Sequence, residues 1–248
     1  MKTQIKSEDE IARMRQSGKI LYEILTIVSN KAQIGVTTKQ LDEIAASELK
    51  KRSAKAAFLG YNGFPASICI SINDEIVHGI PSKREITDGD IVGLDFGVDY
   101  EGMITDSAVT VAVGDIDNNQ KRLLEYTKRA LYSAVDVIKD GVRVGDIGDA
   151  VNQQLRAGNL KVIKDLGGHG VGHQVHEDPI ILNFGHHGTG ETLRAGMTIA
   201  IEPIASIGTH DTYLANDGWT YMTVDGSMSA QFEHTILITR SGAEVLTA

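Results

Sequence analysis

The chain has 248 residues, 42% of them hydrophobic, and a formal net charge of −9, enough length for a full core but the wrong sign for a general nucleic-acid or DNA binder. No apolar run approaches the ~20 residues that cross a bilayer, and MKTQIKSEDEIARMR has no apolar signal segment, so a cytoplasmic, non-membrane protein is expected. The single cysteine, Cys69, excludes an intramolecular disulfide and a cysteine-built zinc site, so any metal must be held by Asp, Glu and His.

Ser7-Glu-Asp-Glu10 is a capping box, and Ile11, Met14, Ile20, Leu21, Ile24, Leu25 and Val28 follow at helical spacing. A second helix is predicted from Thr37 or Thr38 through Leu41, Ile44, Ala45 and Leu49. Strand patterns come next at 68–72, 91–98 and 108–113, then helices at roughly 118–139 and 145–156. The chain returns to strands at 197–204, 221–224 and 232–239, with a Gly/His-rich connection before them.

This order suggests an internal duplication. Gly35-Val36 with Leu41 aligns with Gly141-Val142 and Ile147 at an offset of 106, and Gly89 with Asp95 aligns with Gly196 and Glu202 at an offset of 107. The halves run roughly 1–114 and 115–248 within one catalytic domain, 1–248, and the repeat sets Asp95 and Glu202 on equivalent strands.

Carboxylates sit where apolar residues are expected: Asp95 in IVGLDFGV, Asp106 in GMITDSAVT, Glu202 in MTIAIEPIAS and Glu233 in SAQFEHTILI. A buried carboxylate needs a counter-charge. One such residue usually means an ion pair, but four without matching buried Lys or Arg point to divalent cations. GGHGVGHQVHEDP adds His169, His173 and His176, and His78 follows the apolar stretch of SINDEIVHGIP; these imidazoles serve as neutral ligands or proton carriers. An oxygen-rich set with one imidazole suits two ions of the Co, Mn, Fe or Zn type, and the chemistry expected is metal-assisted hydrolysis.

Asp95 and Asp106 eleven residues apart, GHGVG with His169, IEP with Glu202 and QFEHT with Glu233 together resemble the pita-bread metallopeptidases. The resemblance to the type I methionine aminopeptidase branch runs over nearly the whole chain, through IKSEDEIARMRQSGKI, YNGFPASICISINDEIVHGIP, VHEDP, NDGWT and SAQFEHTILIT. It implies an α+β, pita-bread fold: two pseudo-symmetric halves forming a curved, mainly antiparallel sheet covered by helices. It also implies that Asp95, Asp106 and Glu233 hold one ion, that Asp106, His169, Glu202 and Glu233 hold the other, and that Asp106 and Glu233 bridge. Glu202 is implied as general base toward the attacking water, with His78 and His176 contacting the scissile peptide.

The family's methionine pocket maps onto Phe58, Tyr61, Phe64, Cys69, Val175 and Trp219, beside His78 and His176. Apolar walls and a sulfur suit a thioether. Phe58 stands where relatives often carry a small or sulfur-bearing residue, and Val175 where an aromatic is common, which puts the stringency toward the following residue in doubt. The implied partners are nascent polypeptide N-termini that start with Met, met by a monomer in transient contact with the ribosome. Lys50, Lys51, Arg52 and Lys55 read either as a solvated helix end or as a docking patch for an RNA-rich partner.

Asp95-Phe96-Gly97 copies a kinase tripeptide, but the chain lacks a GxGxxG loop and an HRD segment. An Xaa-Pro peptidase is the nearer rival, disfavoured by Cys69, by NGFP and by a catalytic repeat that starts almost at once where those relatives usually carry an extra N-terminal domain. A non-catalytic ribosome-associated protein on the same fold is disfavoured because all five ligands are present.

Overall fold

A computed structural model of the chain describes residues 4–248, so the first three residues of the N-terminal stretch lie outside it. Helix α1 (Glu8–Lys31) starts on the expected capping box: the Ser7 backbone N–H donates to Glu10 Oε2 at 2.7 Å while Ser7 Oγ accepts from Glu10 N. Helix α2 (Thr38–Lys51) is capped the same way by Thr37 and Gln40. Strands β1 (Lys55–Ala56), β2 (Cys69–Ile72), β3 (Glu75–Val77), β4 (Ile91–Tyr100) and β5 (Met103–Ala112) complete the first half.

The second half opens with α3 (Asn118–Asp136) and α4 (Val144–Ala157), followed by β6 (Lys161–Val162), β7 (Gly167–Gly170) and β8 (Glu177–Leu182). After these come β9 (Thr198–Ile201), β10 (Ile204–Ser206), β11 (Thr212–Leu214) and β12 (Tyr221–Thr223). The chain finishes with β13 (Ser229–Gln231), β14 (His234–Ile238) and β15 (Ala243–Val245). Every strand pairing among the described residues is antiparallel.

Helices cover one face of the sheets and leave the other to the site. Along β4, Val92, Leu94, Phe96 and Val98 pack with Ile20, Leu21, Ile24 and Leu41 of α1 and α2. Alternation therefore turns Gly93, Asp95 and Gly97 to the opposite face. The second half repeats the pattern: Ile199, Ile201, Ile236 and Ile238 pack with Leu131, Ile147 and Val151 of α3 and α4.

Four expectations are revised. The second strand of the hairpin was expected at 108–113, yet β5 begins at Met103, so Asp106 lies within the strand rather than ahead of it. The turn is only two residues, Glu101 (φ 50°) and Gly102 (φ 80°), and that left-handed pair matches strand twist. The strand at 197–204 is split between β9 and β10 at Pro203, which has no N–H to donate to the ladder. The strand at 232–239 starts only at His234, as β14, after a separate β13 at Ser229–Gln231, and the Gly/His-rich connection contains β7 and β8. A Cβ on Gly168 would meet Ala200 O at 2.1 Å, so β7 reaches β9 only as glycine, a residue of low strand propensity.

The halves are joined where β5 meets β13 and β14. Glu233 N donates to Ala108 O at 2.8 Å, Ala108 N to Glu233 O at 3.3 Å, and Thr110 Oγ1 to Gln231 O at 2.8 Å. Fully buried Thr235 completes the seam: Oγ1 donates to Asp106 O and accepts from Asp106 N, both at 2.8 Å. Thr235→Val keeps the shape but leaves two buried backbone groups unpaired, at about 1–3 kcal/mol each. Urea unfolding should register a loss of about 2–6 kcal/mol; a loss below about 0.5 kcal/mol would show that the seam does not depend on this hydroxyl.

Candidate metal centre and substrate cleft

Strand register brings the acidic side chains to one face. In the hairpin, Asp95 pairs with Ala108 and Gly97 with Asp106, so both carboxylates point away from the helices. Asp106 pairs across the seam with Thr235, two residues from Glu233. In the second half, His234 pairs with Ile201, so the same register sets Glu233 opposite Glu202, and His169 pairs with Ala200, two residues before Glu202. Asp95 and Asp106 come from the first half; His169, Glu202 and Glu233 come from the second.

The five line one cavity of about 180 Å³ together with Phe58, Tyr61, Asn62, Phe64, Cys69, His78, His176 and Trp219. Asp106, His169 and Glu233 each offer a ligand atom, all within 4.8 Å of one another. His169 Nε2 lies 3.7 Å from Glu202 Oε1. Asp95 and Glu202 are linked through Gln231, whose Nε2 donates to Glu202 Oε2 at 3.0 Å and to Asp95 Oδ2 at 3.4 Å. The sequence reading missed Gln231, although it stands two residues before Glu233 and alternation points it the same way.

Burial raises the pKa of all four carboxylates. Asp95 is pushed up to about 7 by desolvation. Glu202 reaches about 8 by desolvation and the nearby Asp95 charge. Asp106 and Glu233 lie well above the usual range, through desolvation first and then repulsion, by Asp95 and Glu202 on Asp106 and by all three other carboxylates on Glu233. Three buried oxygens of this group, Asp95 Oδ1, Asp106 Oδ1 and Glu233 Oε1, have no hydrogen-bond partner. Unpartnered buried oxygens beside an imidazole fit divalent cations of the transition-metal type.

His169 is set up as a ligand. Its Nδ1–H donates to Gly170 O at 2.9 Å, which leaves the Nε2 lone pair facing the carboxylates, and burial holds its pKa down at about 3. Burial likewise lowers His176, and His78 falls to about 4, so neither carries charge at neutral pH. His176 Nδ1 is 2.9 Å from Tyr61 Oη, and its ring is 4.3 Å from that of His169. His78 follows β3 with a left-handed φ of 61°.

Phe58, Tyr61, Phe64, Cys69 and Trp219 form the apolar end of the cavity, with Trp219 edge-on to Phe64 at 5.2 Å. Burial pushes the Cys69 thiol well up, so it is a neutral wall rather than a nucleophile. Val175 packs into the same apolar cluster but is not among the residues that line the cavity, so the two departures from the family pattern are in one cluster.

The other histidines take structural places. His173 Nε2 is 2.7 Å from Glu10 Oε1, and its backbone N–H donates to Glu177 Oε1 at 2.7 Å. Glu177 Oε2 accepts from Lys6 Nζ at 2.8 Å in a fully buried ion pair. The cap of α1 is thereby tied to the turn that carries His176. A buried lysine in the first residues has no periodic signature, so the sequence did not reveal it. His234 faces the helices, bonds Thr247 Oγ1 through Nδ1 at 2.9 Å and lies outside the site.

A fold of two helix-covered halves enclosing a carboxylate and histidine cleft defines a class of metallopeptidase. Residues 12–240 match Metallopeptidase family M24, and the chain belongs to that family. It is 45% identical to the methionine aminopeptidase of Aquifex aeolicus over an alignment of 258 residues, covering 100% of this chain and 99% of that one. Identity with the methionine aminopeptidase of Clostridium perfringens is 41% over 243 residues, 98% of each chain. The crystal structure of methionine aminopeptidase from Thermotoga maritima superposes with a TM-score of 0.97 at 43% identity, covering 99% of both chains.

Without a cation, carboxylates with raised folded pKa values bind more protons in the native than in the unfolded state. The stability these groups contribute is then fully present below about pH 4 and is lost as pH rises toward 8. A divalent ion replaces those protons. Adding Mn or Co to chelator-treated protein should therefore raise Tm more at pH 8 than at pH 5.5; equal shifts at the two pH values would contradict this account.

Proposed function

We propose that the protein is a metal-dependent aminopeptidase that removes N-terminal methionine from newly made polypeptides. One observation carries the reading: buried, unpartnered carboxylate oxygens and a neutral imidazole converge at the mouth of an apolar pocket ending in Phe58, Phe64, Cys69 and Trp219. Asp95, Asp106 and Glu233 are assigned to one divalent ion, and Asp106, His169, Glu202 and Glu233 to a second, of the Co, Mn, Fe or Zn type. When bound, such ions acidify the attacking water and polarise the scissile carbonyl.

The protein's own groups supply the rest. Glu202 takes the proton of the attacking water, held in place by the Gln231 amide. Tyr61 Oη donates to Nδ1 of His176, so the Nε2–H of His176 is presented to the developing oxyanion. Neutral His78 contacts the same peptide from the other strand set. The thioether of methionine fills the apolar end, where an unbranched chain packs against aromatic faces and the Cys69 thiol.

The halves 1–114 and 115–248 act as one catalytic domain because each supplies only part of the cation set. The setting is cytoplasmic, with the enzyme a monomer in transient contact with the ribosome. No helix among the described residues is long and apolar enough to cross a membrane. The basic patch is weaker than its sequence, since Lys51 and Arg52 pair with Glu48, and Arg52 also with Glu23, which leaves Lys50 and Lys55 as the contact points.

After removal and restoration of metal, Met-Gly and Met-Ala peptides should be hydrolysed and Xaa-Pro peptides left intact. Robust Xaa-Pro cleavage with inert Met peptides would overturn the assignment. Glu202→Ala should abolish turnover even at saturating metal, and near-normal turnover would remove it as base. His176→Ala should lower kcat by about 10²–10³-fold, as for loss of one oxyanion donor, with KM little changed; a change confined to KM would assign it to ground-state binding instead.

A further inference from the structure

We infer that the cleft continues beyond the scissile bond into a subsite for extended polypeptide, formed by β7 and β8, in which Ile180 and Leu182 contact the third and fifth residues of the substrate. The inference rests on the aminopeptidase reading above.

A second cavity, of about 390 Å³, adjoins the catalytic one, and His169 and His176 line both. Ile180, Leu182 and Gly167 line this second space. Strand register fixes their direction. His169 pairs with Ile180 and Gly167 with Leu182, and residues directly opposed in an antiparallel pair share a face. His169 points at the carboxylates, so Ile180 and Leu182 stand on the same side of the sheet. Ile181, between them, points the other way and is 2% exposed in the helix-side core.

Ile180 is 68% exposed and Leu182 38%. Two large apolar side chains in water, in line with a catalytic cleft and on the same sheet face, are unusual unless something apolar covers them. Alternate residues of a strand are about 6–7 Å apart, and so are alternate residues of an extended peptide. A substrate leaving the site in extended form therefore presents its third and fifth side chains with the spacing of Ile180 and Leu182. Gly167, opposite Leu182, adds no side chain and leaves room for the peptide backbone. His176 stands at the boundary, so the methionine lies on one side of it and the rest of the chain on the other. Asp165 borders the same space and repels acidic side chains. The occupant is thus the substrate's own downstream segment, with apolar residues preferred at positions three and five.

The test uses metal-loaded enzyme and four peptides: Met-Gly-NH2, which ends before the strand, and Met-Gly-Gly-Gly-Gly, Met-Gly-Leu-Gly-Leu and Met-Gly-Asp-Gly-Asp. The Leu peptide should exceed the Gly peptide in kcat/KM by about tenfold, the Asp peptide should fall below it, and a double I180S/L182S variant should bring all three within about twofold. Equal kcat/KM for the three long peptides, with Met-Gly-NH2 still cleaved, overturns the subsite alone. A Leu preference that survives in I180S/L182S also overturns it. Failure of wild type to cleave any of the four peptides overturns the aminopeptidase reading and the subsite with it. A wild-type dimer in sedimentation that dissociates in I180S/L182S overturns it by assigning the apolar face to a second copy of the chain.

Discussion

Four carboxylates withdrawn from water and crowded against one another repel, and each would rather be protonated or solvated than charged where it stands. The strands hold them there because their other face is locked under helices. Val92, Leu94, Phe96 and Val98 cannot leave the α1 and α2 core without exposing apolar surface, and alternation then leaves Asp95 no direction except the cleft. The same coupling acts on Glu202 and Glu233 through Ile201 and Ile236. Hydrophobic packing on one face thus maintains electrostatic strain on the other, and affinity for cations is the result.

Because the strain is shared between halves, the seam is as much a part of the site as the ligands. Thr235 bonds both backbone groups of Asp106, while Ser107 Oγ donates to Glu233 O at 2.6 Å. A slip of one residue between β5 and β14 would turn Asp106 or Glu233 toward the helices and dissolve the set. The histidines complement this arrangement by staying neutral: burial keeps protons off His169, His78 and His176, so they bind or donate without adding charge.

Much of the fold was legible in the chain because its signals are local. The capping box at Ser7 and the periodic apolar positions after Ser7 and Thr37 located α1 and α2, since capping and helical periodicity involve residues three or four apart. The strands were less legible where composition and conformation disagree. Gly167–Gly170 has almost no side chain to show its strand state, and the two-residue turn at Glu101-Gly102 was read as a longer one, which moved Asp106 out of its strand. Pro203 divided a strand that apolar content alone made continuous.

The sequence by itself determined which residues stand out as candidates and converge in the cleft, since carboxylates in apolar runs and imidazoles among glycines are anomalous wherever they fall, and their order matches one family. It determined the apolar end of the pocket to the extent that NGFP, Cys69 and Trp219 name it. Only the tertiary structure decided which groups orient those residues: Gln231 between Asp95 and Glu202, Tyr61 on His176, and Lys6 with Glu177 beneath the His173 turn. It alone took Val175 out of the cavity lining and set Ile180 and Leu182 in line with His169. These relations join residues up to 171 positions apart, and no local pattern records them, because they follow from strand register and from which faces the helices leave open.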